Sequence, residues 1–594
     1  MIIRKQTTFL VFLLLAILGA LIVRHYGESW DEFKFYKYAD TALSAYTSWP
    51  RDGAVPIFGN TYDNYGPAYV MFVALAARPF EIIFSTTDAR HYIYFLTFLA
   101  GIWAFYELSK RLLAQPAALF ATLLFATQPL IIGHAFISPK DIPFLTFFLL
   151  SFLFGLRLFD SLEPLPPIKL SSRARWVLLS LSALWLVTVT GLFLTTYVFH
   201  TLLTRLVQAA QAGETNIISI IASDIHKVEP EVYIQRYFLF FLWGRSVLFL
   251  FSTGLLVYFY NKYIPATSRL LRSILFPAIL LGLATNIRIL GPFAALFVTY
   301  YAFRTKGRQA ILPLALYAVI ALIVVYLTWP YLWLNPLGYF VESLRVMSQY
   351  PWPGRVLFNG AEYSSTGLPY SYLPVLLGMQ LTEPVWILFA PGLAVAVYQW
   401  REKRALIALT VIWFIIPLIG FIVTHSPLYD NFRQIFFILP PVFMVAGVVI
   451  EKIKSTQWKI ALVVLCLLPG VVDAIRLHPY EYIYYNRFVG GVSGVARKFE
   501  LDYWGTSYRE AADWLNTNAP DEAYVWVDGP AHLLGPYLRD DIQMYSGYEA
   551  DSFDHIDYVV STSRYNLDLT SYPDAKVVHV IERDGAVLTV IKQP

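Results

Sequence analysis

Apolar runs close to the length needed to cross about 30 Å of hydrocarbon recur along the chain, at roughly 8–24, 91–109, 116–137, 142–158, 176–200, 237–260, 309–333, 372–399, 405–424, 434–450 and 459–475. A further apolar region, 273–303, is interrupted by Asn286-Ile287-Arg288, which predicts a hairpin of two short helices with Arg288 at its tip. The segment 67–86 carries Arg78 and Glu81 between Pro67 and Pro79 and is read as an interfacial helix. With that segment lying flat, Lys110/Arg111, Lys169/Arg173/Arg175, Lys262/Arg269/Arg272, Arg304/Lys306/Arg308, Arg401/Lys403/Arg404 and Lys452/Lys454 all fall on the side of Arg4 and Lys5. The positive-inside rule makes this the cytoplasmic side. The pattern predicts about thirteen transmembrane helices, an all-α polytopic bundle, with the amino terminus inside and the carboxy terminus outside.

After about residue 477 the apolar residues shorten to strand-like runs such as Ala523-Tyr524-Val525-Trp526-Val527 and Lys576-Val577-Val578-His579-Val580-Ile581. Helical spacing over Tyr508–Asn516 and the Asp584-Gly585 turn between two strand runs predict a small α/β unit ending in a hairpin. The chain is therefore read as a membrane domain, 1–476, with outer loops at 25–90, 201–236 and 334–371, followed by a soluble extracytoplasmic domain, 477–594. The soluble part holds no phosphate-loop glycine pattern, metal-type His/Cys spacing or nucleophile elbow.

Composition agrees with the hydropathy pattern: 57% apolar residues against 14% charged is far from the globular norm. The net charge of +4 is small and its cations sit in short loops, which argues against nucleic acid as a partner. One cysteine, Cys466, excludes an intrachain disulfide framework and any multi-cysteine metal site. Arg4 and Lys5 precede the first apolar run as in a signal peptide, but no small-residue cleavage pattern precedes Arg24, so a retained first helix is expected.

Candidate chemistry collects on the expected outer face. Glu28-Ser29-Trp30-Asp31-Glu32 directly follows the first apolar run, and ionisable groups at membrane level are functional candidates by default. Ser29 and Glu32 also fit a helix capping box, which would leave Asp31 unexplained. Asp141 follows Lys140 at the outer end of a long uncharged stretch, where it could cap the next helix or line a site. Arg288 suits two-point binding of phosphate or pairing with a carboxylate. The turn His425–Arg433 brings Asp430 and Arg433, and reads equally as a solvated loop. Acids and cations together on one face suit a reaction that needs a base and a stabilised anionic leaving group, as in glycosyl transfer from a lipid phosphate. A transporter or flippase of an anionic lipid-linked substrate is the alternative.

Several stretches resemble the polytopic glycosyltransferases of the GT-C fold, nearest to the protein O-mannosyltransferases and lipid A aminoarabinose transferases. They are Trp30-Asp31-Glu32, Ser138-Pro139-Lys140-Asp141-Ile142-Pro143-Phe144, Trp329-Pro330-Tyr331-Leu332-Trp333-Leu334-Asn335-Pro336, Tyr484-Tyr485-Asn486 and Asp502-Tyr503-Trp504-Gly505. The resemblance implies a polyprenyl-phosphate sugar donor, an acceptor glycan, lipid or protein, transfer with inversion at the anomeric carbon, and an acidic general base in the first outer loop. Asp31 and Glu32 are then the catalytic candidates, with Lys140, Asp141, Arg288, Asp430 and Arg433 as substrate-binding candidates. A divalent metal is left open. The sugar-binding repeat domain of the eukaryotic mannosyltransferases is absent, only the short 334–371 loop standing in its usual position, so protein acceptors do not follow from the resemblance.

Overall fold

A computed structural model describes residues 5–59, 61–162, 171–222, 227–264, 266–350, 352–546 and 555–594. Arg4 and Lys169, two of the basic residues used to orient the spans, lie outside the described residues. The chain is predominantly helical, with two small sheets. Among the described residues eight helices are long and apolar enough to cross a membrane, and ten if each of two sharply bent pairs counts as one span. This is a multi-pass membrane protein.

One of the apolar runs behind the expected thirteen or so spans folds in pieces. The run at 434–450 becomes a 3-10 turn, Arg433–Ile438, and two short helices, Pro440–Gly447 and Val449–Lys452, because Pro440 and Pro441 permit only a fresh helix start. The first apolar helix is Lys5–Ile22, continued by a 3-10 turn, Val23–His25. Segment 67–86, which is not counted among the expected spans, forms a helix of nine residues, Ala68–Ala76, and a 3-10 turn, too short to span, in keeping with that expectation.

Two predicted spans are broken in the middle. Gln115–Ala126 and Pro129–Ile137 meet at 64°, and Tyr372–Gln380 and Glu383–Tyr398 at 107°. The cause is local: Gln128 precedes Pro129 and Thr382 precedes Glu383-Pro384, and both residues adopt extended backbone. Apolar surroundings require the freed polar groups to find partners. The two breaks supply each other: Gln128 Nε2 donates to Thr382 Oγ1 at 3.0 Å, and the Thr382 N–H donates to Gln128 Oε1 at 3.0 Å. Asn486 completes the repair by donating to the carbonyls of Gly378 and Leu381 at 2.7 and 3.0 Å.

The chain divides into two compact units, 1–36 with 72–149 and 348–594, and 37–71 with 150–347. In the second unit the structure corrects two expectations. The interruption lies where expected, with Arg288 in the turn between Ala266–Ile287 and Pro292–Lys306, but the first helix is a full-length span and not a short one, since it begins among Arg269 and Arg272, whose long stems can run along apolar surface. The helix Pro292–Lys306 continues through a 3-10 turn into Ile311–Thr328 as one 37-residue apolar stretch. Asn286 ends the first helix and is a tie: its amide donates to Thr328 and accepts from the Ala68 N–H at 2.8 Å. The described part of the expected 201–236 loop is also mostly helical, in Thr196–Gln211, a short helix Ile217–Ile221 capped by Asn216, and the start of Pro230–Tyr263.

The first unit carries both sheets. Strands β1 (Arg355–Phe358) and β2 (Ala361–Ser364) form an antiparallel hairpin. The last long helix ends at Leu477, and the other strands, β3 (Tyr524–Asp528), β4 (Gln543–Ser546), β5 (Tyr558–Thr562), β6 (Lys576–Arg583) and β7 (Ala586–Gln593), form a mixed sheet ordered β4-β3-β5-β7-β6. The predicted Asp584-Gly585 hairpin turn is present, with positive φ at both residues. In this unit Lys403 pairs with Glu451 at 2.7 Å and donates to the Leu112 carbonyl, while the Ala114 N–H donates to Glu451. Loops that the alternation of spans places on one side are thus in contact.

Gly133 sits where the Pro129–Ile137 helix crosses residues 481–482, and a Cβ there would lie 2.4 Å from the Tyr482 nitrogen. Gly133→Ala is expected to cost about 1–3 kcal/mol by forcing the two segments apart. Gly420→Ala, with open space around it, is expected to be neutral or stabilising. Thermal unfolding of both variants in detergent checks this, and equal midpoints would contradict the packing described.

Candidate active site

The helix Asp141–Ser161 begins at a turn in which Ser138 Oγ accepts from the Asp141 N–H at 3.0 Å, so the Asp141 carboxylate stands at a helix amino terminus where backbone dipoles favour it. Arg433 meets it from the turn that precedes Pro440. Its Nη1 lies 2.8 Å from Asp141 Oδ2 and its Nη2 lies 3.0 Å from Asp430 Oδ2. Arg564, from the segment after β5, approaches the other Asp430 oxygen at 2.7 Å and donates to the Tyr503 carbonyl at 2.6 Å. The result is a buried alternating chain, Asp141, Arg433, Asp430, Arg564. Buried charges are tolerated only when paired and hydrogen-bonded. Aromatic faces cover the rest: Arg433 lies 4.3 Å from the Trp504 ring centre and 5.2 Å from that of Tyr429, and Arg564 lies 5.2 Å from Trp30.

Trp30 leads to the acidic stretch. Its N–H donates to the Trp504 carbonyl at 3.0 Å, and His532 Nε2 lies 3.0 Å from its own carbonyl. The next residue, Asp31, has its Oδ2 3.5 Å from Lys140 Nζ, and the ammonium also faces the Phe35 ring at 4.7 Å. The Asp31 side chain is 22% exposed, against 7% or less for Lys140, Asp141, Asp430 and Arg433. Asp31 is therefore the most accessible member of this group.

Glu32 points into a different environment. It is fully buried, accepts from the Ser29 N–H at 2.6 Å and the Tyr36 hydroxyl at 3.1 Å, and lies 3.0 Å from His91 Nε2. Half of the predicted capping box is present: Ser29 Oγ does not return the bond but donates to the Ile137 carbonyl. Burial, and the charge of Glu32 beside it, push the Glu28 carboxyl up to about 7.

Five of the seven residues singled out from the sequence, Asp31, Lys140, Asp141, Asp430 and Arg433, are thus held in ion pairs in one unit, with Glu32 beside Asp31 in the chain. Arg288 belongs to the other unit, in the turn between Ile287 and Pro292, where the Gly291 N–H donates to its carbonyl at 2.9 Å. The sequence reading missed Arg564 and Glu500 and gave Trp504 no role, all three lying beyond residue 477. Asp502-Tyr503-Trp504-Gly505 carried a signal, and the structure gives its physical content. Asp502 accepts from the Tyr482 and Ser507 hydroxyls and the Gly505 N–H, folding the turn that presents Trp504 to Arg433. Among the described residues no group of three or more His, Cys, Asp or Glu side chains is arranged to hold a metal ion.

No family model and no curated protein matches the chain. Among solved structures, the archaeal oligosaccharyltransferase AglB from Archaeoglobus fulgidus, in complex with an inhibitory peptide and a dolichol-phosphate, aligns over 93% of this chain and 69% of its own, at 14% identity and a TM-score of 0.34. ArnT from Cupriavidus metallidurans bound to undecaprenyl phosphate aligns over 99% and 98%, at 12% identity and a TM-score of 0.26. Superpositions this loose do not establish a common fold.

Arg433→Ala leaves Asp141 and Asp430 buried without their shared cation, and is expected to cost about 3–5 kcal/mol, read as a lowered unfolding midpoint and reduced abundance in membranes. Glu500, 3.7 Å from Arg564, supplies a second test. Burial pushes its carboxyl from 4.5 up to about 8, Arg564 opposing the rise and Asp430 adding to it. The folded state keeps a proton that the unfolded chain releases, so stability falls as pH rises from about 4.5 to about 8. The unfolding midpoint of the wild type is expected to drop between pH 5 and 8, and Glu500→Gln to flatten the drop.

Proposed function

We propose that the chain is a membrane glycosyltransferase that moves a sugar from a polyprenyl-phosphate donor to an acceptor hydroxyl at the outer surface of the membrane. The observation that carries this reading is a partly exposed carboxylate, Asp31, held beside the Lys140 ammonium at the edge of an otherwise buried and charge-balanced cluster. A base and a cation side by side suit a displacement in which one oxygen gains a bond as another leaves with negative charge.

In the proposed step Asp31 takes the proton of the acceptor hydroxyl as that oxygen bonds to the anomeric carbon. The bond from that carbon to the phosphate oxygen breaks, and the phosphate keeps the electron pair. A single displacement inverts the anomeric configuration. Lys140 faces the developing phosphate charge, and preorganised cations aimed at such charge are usually the larger catalytic contribution. Arg433 and Asp141 act as positioning residues, since their charges are spent on each other, and Glu32 anchors the turn that carries Asp31. Arg288, in the other unit, is kept as a separate candidate for binding phosphate. A membrane of the cell envelope, with the site and the carboxy-terminal sheet extracytoplasmic, follows from the distribution of basic loops.

The two bent helix pairs favour a second reading, transport of an anionic lipid-linked substrate, because discontinuous helices place backbone dipoles at mid-membrane. The two readings part on chemistry. Membranes incubated with radiolabelled polyprenyl-phosphate sugars are expected to consume one of them and label an acceptor, whereas a flippase moves label between leaflets with the lipid intact. Asp31→Asn keeps shape and removes the base, and is expected to lower transfer by about 10²–10⁴-fold with donor binding retained. Wild-type turnover per folded molecule in Asp31→Asn would overturn the assignment of the base.

A further inference from the structure

A cavity of about 260 Å³ lies between the β1–β2 hairpin and the segments at 496–503 and 563–566. Its lining includes Arg355 and Glu362 from the hairpin, Glu500 and Tyr503, and Arg564 and Tyr565. We propose that this cavity is a subsite for a sugar ring of the acceptor, so that the acceptor is a glycan or glycolipid. The proposal rests on the transferase reading, which makes an acceptor necessary.

Three observations support it. Size comes first: pockets for drug-sized ligands run to about 300–1,000 Å³, so this one has room for a single ring and not for a polyprenyl chain. Chemistry comes second. Arg497 is committed to Asp568 at 2.7 Å and Arg564 to Asp430, and with Arg355 and Glu362 both in the lining the wall has no strong positive excess. Glu500 is 7% exposed, its Oε1 lies 3.7 Å from Arg564, and neither of its oxygens has a side-chain hydrogen bond among the described residues. A protonated carboxyl can both donate to and accept from sugar hydroxyls, and the exposed Tyr565 ring offers an apolar face for the C–H side of a pyranose.

Backbone strain comes third. Arg497, Tyr565 and Asn566 line the cavity with φ of +64°, +58° and +55°, and Asp430, which holds Arg564, has +53°. Left-handed conformations at residues other than glycine cost energy and concentrate at sites where geometry is needed for function. The cavity also adjoins the proposed base: Arg564 lines it and packs against Trp30, the neighbour of Asp31.

The test is saturation-transfer NMR on the full chain in detergent, with methyl glycosides of glucose, mannose and N-acetylglucosamine as probes and inorganic phosphate followed in parallel by ³¹P line broadening. At least one glycoside is expected to receive saturation from the wild type. Tyr565→Ala, which removes an aromatic face, is expected to cut the effect about fivefold or more. Glu362→Trp, at an exposed strand position on the rim, is expected to block it, so a folded variant is at hand if the first loses stability. Absence of saturation with folded wild type, full saturation in both variants, or binding of phosphate alone would each overturn the proposal. Glycoside binding without consumption of any polyprenyl-phosphate sugar would sink the transferase reading and leave the sugar site standing. Consumption of donor without glycoside binding would do the reverse.

Discussion

The Arg433 guanidinium, enclosed between Asp141 and Asp430 and covered by Trp504, is the interaction on which the site depends. A single buried cation there would be intolerable, and so would either carboxylate alone. Their arrangement as a pair of pairs, extended to Arg564, lets segments far apart in sequence meet with their charges cancelled. The start of the helix at 141, the turn at 430 and the segment after β5 are thereby held together, and the Trp30-Asp31 stretch is pinned against the same place by the backbone bond from Trp30 to Trp504.

The same economy governs the broken helices. An apolar environment does not forbid a break, but it requires every freed N–H and carbonyl to be met. Here one break answers the other through Gln128 and Thr382, and Asn486 answers what is left. Polar residues in the apolar runs serve as repair groups in this way, and the carboxy-terminal part of the chain, through Asn486 and Trp504, belongs to the fold of the membrane part that it contacts.

Much of this was legible in the chain because hydropathy and charge speak directly about membranes. The long apolar helices, the change of character after residue 477 and the Asp584-Gly585 hairpin could all be read. So could the grouping of Asp31, Lys140, Asp141, Asp430 and Arg433, because the alternation of spans puts their loops on one side. What could not be read were partnerships set by tertiary packing. Nothing in the sequence couples Arg564 to Asp430 across 134 positions, or Gln128 to Thr382 across 254. In the run 273–303 the break at Asn286-Ile287-Arg288 could be read, but the length of the helix before it could not, because Arg269 and Arg272 lie in its first turns instead of preceding it. Ser29 and Glu32 matched the capping pattern, yet Ser29 spends its hydroxyl on Ile137 because that carbonyl lies within reach in the folded unit.

The central claim is that the Asp430–Arg564 pair is an energetic link in this chain of charges and not an incidental contact. A double-mutant cycle with Asp430→Asn, Arg564→Gln and the double variant, read by unfolding in detergent, tests it most directly. The account predicts that the double variant is more stable than the two single losses added together imply, with a coupling between about 1 and 3 kcal/mol, the upper range for contacting residues. Additivity within about 0.5 kcal/mol, as found for residues that do not interact, would contradict it.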